Sequence, residues 1–298
     1  MLGWRLLISA FLIPSLIGLF WLDARLGREA WILFAFCLFV AVRNAFELTV
    51  LLKTRNMKPS FPVSAGLSLL VVCSGWVHLV GNADQQPAAA LVSLGLICGT
   101  LVIGFCGLMA RECSVYEKPG NSMESLGAHA IIVMYAGGLL AVTAQFRWFP
   151  KPEFAYFAIG SMIIAVKCGD TGAYTFGRLW GKRKMAPVLS PGKTWMGFVG
   201  ALAGSIVGGC LWLMFAGAMF EAKPQVQSLL IAVLYSASMG VIGLIGDLCE
   251  SLIKRDVEKK DSAALMPGFG GLLDLLDSPL YAGPFALLWW HLIPPAWS

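Results

Sequence analysis

Three aspartates near the C-terminal end of the sequence are strong candidates for chemistry. Asp247 follows a long apolar run, and Asp274 and Asp277 are spaced three apart, as on one face of a helix. Hard divalent cations such as Mg²⁺ take one or two protein carboxylates together with phosphate oxygens of a substrate. We therefore predict that Asp247, Asp274 and Asp277 bind Mg²⁺ and take part in catalysis.

Basic residues near these aspartates in the sequence are suited to binding phosphate, because lysine and arginine make charge-assisted hydrogen bonds to it. Polar residues at helical spacing continue from the end of the apolar run before Asp247, so they lie on one face of a helix and form a polar stripe. Its members are Asp247, Glu250, Ser251, Lys254, Arg255 and Glu258. We predict that Lys254 is catalytic. We predict that four residues of this segment contact substrate, namely Ser251, Arg255, Lys260 and Asp261.

A second polar segment, 168–198, contributes two further candidates. Asp170 lies at the end of an apolar run, where an ionisable group is costly and indicates function. Ser190 followed by Pro191 predicts a helix N-cap with proline in the first turn, so that free backbone N–H groups and Lys193 face an anion. We predict that Asp170 and Lys193 contact substrate.

The rest of the sequence supplies the elements that carry these side chains. The chain is 58% hydrophobic and 13% charged, against about a quarter charged in an ordinary soluble domain. Its apolar runs approach the ~20 residues needed to cross a bilayer. They lie near 5–22, 30–50, 61–82, 88–110, 126–146, 153–169, 196–219, 227–246 and 278–294.

These runs predict an all-α, polytopic integral membrane protein with about nine transmembrane helices. We expect the first run to be a membrane anchor that stays in the mature protein, since no small-residue cleavage site follows it. Helices in 1–150 are expected to act as a scaffold, and those in 151–298 to carry cytoplasmic catalytic loops, all within a single membrane domain.

The distribution of positive charge predicts the orientation. With nine spans, lysines and arginines outside the apolar runs favour the amino-terminal side by about three to one, and such an excess marks the cytoplasmic side. We therefore expect the amino terminus and both candidate loops, 171–195 and 247–277, to face the cytoplasm. A multi-pass location in the cytoplasmic membrane is the corresponding expectation.

Cysteine and histidine exclude some kinds of site. The eight cysteines form no C-x-x-C pair, and most of them lie within apolar runs. The three histidines are too scattered for a histidine-based metal centre. Neither a disulfide framework nor a zinc site is expected.

The two polar segments together resemble the bacterial phosphatidate cytidylyltransferase, or CDP-diacylglycerol synthase, family. The resemblance covers roughly 165–285 and rests on a serine, a Lys-Arg pair, a Lys-Asp pair, a Pro-Gly-x-Gly-Gly turn and paired aspartates. These are Ser251, Lys254-Arg255, Lys260-Asp261, 267–271, and Asp274 with Asp277. The upstream segment contributes Asp170-Thr-Gly-Ala-Tyr, Gly177-Arg178, Gly181-Lys182 and Ser190-Pro-x-Lys-Thr-Trp195.

The resemblance implies the transfer of cytidylate from CTP to phosphatidate, which yields CDP-diacylglycerol and pyrophosphate. CTP, phosphatidate and membrane lipid are the implied partners, and Mg²⁺ the implied cofactor, with a second monovalent or divalent cation as an option. A homodimer is a further option, and no nucleic-acid partner is expected. This chain has Phe269, Leu275 and Met196 where the family pattern commonly has histidine, arginine and glutamate.

Three alternatives stay open at the level of sequence. Another CTP-dependent lipid enzyme, such as a polyprenol or dolichol kinase, would also need Mg²⁺ and a phosphate-binding loop. An ion-coupled transporter would use Asp170 and Asp247. A catalytically inactive relative with a scaffolding role is favoured by Phe269 and Leu275.

Overall fold

The computed structural model describes residues 2–27, 29–55, 57–77, 89–117, 119–149, 152–220, 225–263 and 270–297. Within these ranges the chain is built almost entirely of helices. The α-helices are Leu2–Arg25 (α1), Trp31–Lys53 (α2), Phe61–Ser74 (α3), Ala89–Ser114 (α4), Ser122–Val133 (α5), Leu139–Ala144 (α6), Pro152–Trp180 (α7), Trp195–Phe215 (α8), Leu229–Asp256 (α9) and Leu272–Leu292 (α10). Two antiparallel pairs of short strands complete it, Lys184–Ala186 (β1) with Ser190–Thr194 (β2), and Gln225–Val226 (β3) with Ala296–Trp297 (β4).

The predicted apolar runs coincide with helices. In the described part of the chain, six helical segments are long and apolar enough to cross a bilayer. They are Trp31–Lys53, Leu91–Ser114, Ser122–Trp148, Phe154–Trp180, Trp195–Met219 and Leu229–Asp256. Helix α3 has only 14 residues, and the end of its predicted run, 78–82, lies outside the described residues. The prediction of an all-α integral membrane protein is confirmed.

The prediction of a loop over 171–195 is wrong for residues 171–180, because α7 continues as a helix to Trp180. The first proline beyond Asp170 is Pro187, so nothing earlier forces the helical hydrogen bonds to end. Threonine hydroxyls in this extension bond back to helix carbonyls, Thr171 to Lys167 and Thr175 to Thr171, each at 2.9 Å. Asp170 therefore lies within a continuous helix, well before its end.

The predicted N-cap at Ser190 is also wrong. Ser190 begins strand β2 and pairs with Ala186 of β1, so its backbone groups join a hairpin. Helix α8 instead begins at Trp195, where the Thr194 hydroxyl accepts a hydrogen bond of 3.0 Å from the Gly197 N–H. Threonine is itself a favoured N-cap residue. The local sequence is therefore compatible both with a helix capped by Ser190 and with a strand followed by a helix capped by Thr194.

The chain divides into two compact units, which are Met1–Gln145 with Val257–Leu275, and Phe146–Asp256 with Leu276–Ser298. The core of the first unit lies along α2, where Val40, Ala41, Ala45 and Leu48 are fully buried. Helix α3 and the π-helical turn Met134–Gly138 both pack against α2. The sequence-based division into a scaffold, 1–150, and a catalytic part, 151–298, concerns roles and stays a prediction.

In the second unit, α7 packs closely against α8. A side chain at either Gly172 or Gly200 would overlap with the other residue's backbone carbonyl group, so glycine permits the backbones to approach. Hydrogen bonds farther along fix the same helices, with the Trp212 indole donating to the Phe157 carbonyl at 2.9 Å. This rigid pairing supports the polar ends of α7 and α9.

Candidate active site

Three carboxylates converge in the second unit. Asp247 and Glu250 are spaced three apart on α9, and Asp277 lies on α10. One oxygen from each lies within 4.8 Å of the others. Glu250 is 1% exposed and Asp277 is 7% exposed, so water cannot fully screen their mutual repulsion. We call these three residues the acidic cluster.

Lysines from two elements contact the acidic cluster. The Lys193 ammonium group, in β2, lies 2.8 Å from an Asp247 oxygen and donates to the Leu244 carbonyl at 3.2 Å. One turn along α9, the Lys254 ammonium group lies 2.7 Å from a Glu250 oxygen. The hairpin thus brings positive charge to Asp247, and the C-terminal turn of α9 brings it to Glu250.

Helix α7 adds a further ion pair to this network. The Lys167 ammonium group lies 3.2 Å from an Asp170 oxygen. Asp170 also interacts electrostatically with Asp247 and Lys193, and Lys167 with Asp277. Asp170 is therefore linked electrostatically to the acidic cluster, and its contact with substrate stays a prediction.

Acidic groups outnumber lysines among the paired side chains described above. Four carboxyl groups, those of Asp170 and the acidic cluster, lie near three ammonium groups, those of Lys167, Lys193 and Lys254. A bound divalent cation would offset negative charge on the carboxylates and relieve the repulsion between them. Because every ligand atom that the acidic cluster offers is a carboxylate oxygen, the cluster fits a hard cation of the Mg²⁺ or Ca²⁺ kind.

The other predicted residues of α9 and the loop after it lie near or beyond this network. The Ser251 hydroxyl lies 3.4 Å from an Asp247 oxygen. The Arg255 guanidinium lies 3.4 Å from the Leu189 carbonyl, between β1 and β2. Lys260 and Asp261 are exposed, and they belong to the other compact unit. Phe269 lies outside the described residues.

Asp274, the third predicted metal ligand, belongs to the first unit and makes a different set of contacts. Its Oδ2 atom accepts hydrogen bonds from the Ser262 N–H at 2.9 Å, the Ser262 hydroxyl at 2.8 Å and the Gly271 N–H at 2.7 Å. These contacts hold Ser262 and Gly271 against the first turn of α10. The proposed role of Asp274 in metal binding stays a prediction.

Sequence reasoning missed two residues of the network. Glu250 was counted in the polar stripe of α9 but not as a metal ligand, although its spacing from Asp247 puts both on one helix face. Lys167 was not among the predicted residues, although it lies three residues before Asp170. Helical spacing counted back from Asp170 would have identified it.

Comparison with known proteins agrees with the resemblance in the sequence. The family model described as Cytidylyltransferase family matches residues 4–293. The phosphatidate cytidylyltransferase of Haemophilus influenzae is 34% identical over 252 residues, covering 83% of this chain and 85% of the relative. That of Bacillus subtilis is 32% identical over 251 residues, covering 84% and 86%.

A third relative, the phosphatidate cytidylyltransferase of Pseudomonas aeruginosa, is 33% identical over 206 residues, which is 69% of this chain and 70% of the relative. The match to the family model extends well beyond the two polar segments and includes the apolar helices of the first half. The chain therefore belongs to the cytidylyltransferase family, which its sequence matches over almost its whole length.

Proposed function

We propose that this protein transfers cytidylate from CTP to phosphatidate, producing CDP-diacylglycerol and pyrophosphate for phospholipid synthesis. A phosphate oxygen of phosphatidate attacks the α-phosphorus of CTP. The bond from that phosphorus to the oxygen bridging to the β-phosphorus breaks, and pyrophosphate leaves with the bonding electrons. The observation that carries this proposal is the convergence of three carboxylates and their lysine partners in a member of the cytidylyltransferase family.

The acidic cluster is the proposed metal centre, with Asp247, Glu250 and Asp277 as ligands of Mg²⁺. Bound there, the metal would neutralise phosphate oxygens and stabilise the charge that develops on the departing pyrophosphate. We also propose Asp274 as a further metal ligand. A second cation, monovalent or divalent, is a further part of the proposal.

Lys193 and Lys254 are the proposed phosphate-binding residues. Both ammonium groups contact carboxylates of the acidic cluster. A metal ion bound to those carboxylates would compete with the lysines for them, so that the ammonium groups would bind phosphate oxygens instead. Lys254 is assigned a catalytic role on this basis. Asp170, Ser251, Arg255, Lys260 and Asp261 are proposed to orient the nucleotide or the lipid phosphate.

The reaction places little demand on proton transfer. Phosphate monoesters have a second pKa near 6 and are mostly dianionic at pH 7, so the nucleophile arrives ionised. Positioning two polyanions and stabilising the transition state therefore form the main task. Phe269 and Leu275, which replace ionisable residues of the family pattern, do not remove a required base.

Nine transmembrane spans, with the amino terminus and the catalytic residues of 151–298 on the cytoplasmic side, form the proposed topology. The excess of lysine and arginine on that side supports this orientation. A bacterial inner membrane is the proposed location, since the three relatives named above come from bacteria. CTP would reach the site from the cytoplasm and phosphatidate from the bilayer. A homodimer stays a prediction.

The decisive assay uses detergent-purified protein, phosphatidate, Mg²⁺ and CTP labelled either at the α-phosphate or at the γ-phosphate. We expect α-label in lipid and γ-label in pyrophosphate, with Asp247→Asn at background. Transfer of γ-label to lipid would identify a kinase. A wild-type protein without lipid-linked cytidylate at any Mg²⁺ concentration would contradict the proposed function, and leave the inactive relative or the transporter.

A further inference from the structure

Glu47 of α2 is fully buried and binds the start of α10 in the same compact unit. Its two carboxylate oxygens accept hydrogen bonds from the Leu272 and Leu273 N–H groups, both at 3.0 Å. The Ser262 hydroxyl lies 3.0 Å from the same carboxylate, and the Arg43 guanidinium pairs with it at 2.9 Å. A charge that is costly to bury is thus engaged both by Arg43 of its own helix and by Ser262, Leu272 and Leu273 from a distant part of the chain.

These contacts replace a helix cap that the local sequence lacks. The residue before α10 is Gly271, which has no side chain to accept the first free N–H groups of the helix. Asp274 supplies one half of a capping box by accepting from the Gly271 N–H at 2.7 Å. Glu47 supplies the other half from α2.

Two glycines make room for this arrangement. Gly270 has a φ of +88°, and a Cβ there would overlap with an Asp274 carboxylate oxygen. At Gly271 a Cβ would overlap with the Ser262 hydroxyl and with a Glu47 oxygen. The pair Gly270-Gly271 is therefore explained by the two carboxylates packed against it.

We propose that Glu47 is a positioning residue for the cytidylyltransferase reaction, which fixes the first turn of α10 and hence the direction of the aspartates on it. Asp274 lies in that turn, and Asp277 follows at helical spacing on the same face. This inference rests on the proposed function, because Asp277 acts there as a metal ligand. Glu47 itself touches neither substrate nor metal in this proposal.

Asp23 provides a matched control within the same unit. It is also a fully buried carboxylate, and one of its oxygens accepts hydrogen bonds from the Ile32 and Leu33 N–H groups at 3.0 Å, in the first turn of α2. Its loss removes the same kind of helix cap as the loss of Glu47. Unlike α10, the first turn of α2 carries no proposed ligand.

The test compares Glu47→Gln with Asp23→Asn in the full-length protein, at equal amounts of folded enzyme. We expect Glu47→Gln to lower kcat about 10- to 100-fold, the usual effect of losing a residue that orients metal ligands, with KM for CTP within about threefold. Asp23→Asn should keep kcat within about twofold. A twofold or smaller change in Glu47→Gln, or an equal loss in Asp23→Asn, would overturn the positioning role.

Hydrogen exchange provides a readout that does not depend on turnover. In Glu47→Gln, exchange of the amides in 270–275 should be about tenfold faster than in wild type, while Asp23→Asn should accelerate only 31–34. Unchanged exchange in 270–275 would overturn the inference even if activity fell. An inactive wild type would contradict the proposed function but leave this contact testable. If Glu47→Gln does not fold, Ser262→Ala serves instead, with the same expected exchange pattern and a smaller loss of kcat.

Discussion

The ammonium group of Lys193 in strand β2 lies 2.8 Å from the carboxylate of Asp247 in α9. The hairpin between α7 and α8 makes this contact available, because β2 runs directly into α8 and pairs with β1. Lys193 is also largely shielded, with 12% of its side chain exposed. An ammonium group so placed, beside a proposed metal ligand, is suited to bind a phosphate oxygen of the nucleotide.

Replacing Lys193 tests this assignment. Lys193→Met should lower kcat/KM for CTP by about 10- to 150-fold, as expected for the loss of a hydrogen bond to a charged group worth about 1.5–3 kcal/mol. Lys184→Met is the matched control, since Lys184 is exposed on the partner strand of the same hairpin. Steady-state kinetics with varied CTP would measure the effect, and an equal loss in both variants would point to damage to the hairpin.

Glu250 is expected to contribute to metal binding although the sequence did not single it out. Glu250→Gln removes one charge from the acidic cluster and one partner from Lys254. We expect the Mg²⁺ concentration for half-maximal activity to rise at least tenfold. Glu258→Gln, an exposed residue beyond the end of α9, should leave it unchanged. An unchanged Mg²⁺ requirement in Glu250→Gln would limit the metal centre to aspartates.

Mg²⁺ should stabilise the folded protein through the same cluster. A ligand at 100 times its Kd stabilises the native state by about 2.7 kcal/mol, so the wild-type Tm should rise with added Mg²⁺ and fall with EDTA. Asp277→Asn should abolish this dependence, and Asp256→Asn, which is exposed on α9, should retain it. A full Mg²⁺ response in Asp277→Asn would remove Asp277 from the proposed ligands.

The helices and the polar face of α9 were predictable because their signals are local. Runs of apolar residues long enough to cross a bilayer predict α2, α4 and α9 directly. The polar face of α9 was likewise predicted from helical spacing, and the structure continues that helix to Asp256. Each of these inferences needs only residues within a few turns of one another.

The remaining parts depend on contacts that spacing does not encode. Ser190–Thr194 was expected to open a helix, yet pairing with β1 is a tertiary choice between two locally acceptable conformations. Glu47 lies far from α10 in the sequence, and only the folded unit brings it to the Leu272 and Leu273 N–H groups. Its sequence signature, one carboxylate in an apolar helix, indicates importance but not a partner.

Asp274 is the residue for which a structural role and the proposed ligand role overlap, and a single substitution separates them. Asp274→Asn keeps the shape but weakens an acceptor of three hydrogen bonds. We expect about 1–2 kcal/mol lower stability, as for the loss of a helix cap, and faster amide exchange at Gly271. Denaturant unfolding in detergent and exchange would measure these effects.

The Mg²⁺ dependence of the same Asp274→Asn protein then tests the ligand role. If Asp274 also binds metal, half-maximal activity should require at least tenfold more Mg²⁺, as in Glu250→Gln. Ser262→Ala is the control, because it removes a hydroxyl that contacts Asp274 without removing a carboxylate. An Asp274→Asn enzyme that is less stable, but has wild-type Mg²⁺ dependence, would assign Asp274 to the capping of α10 alone.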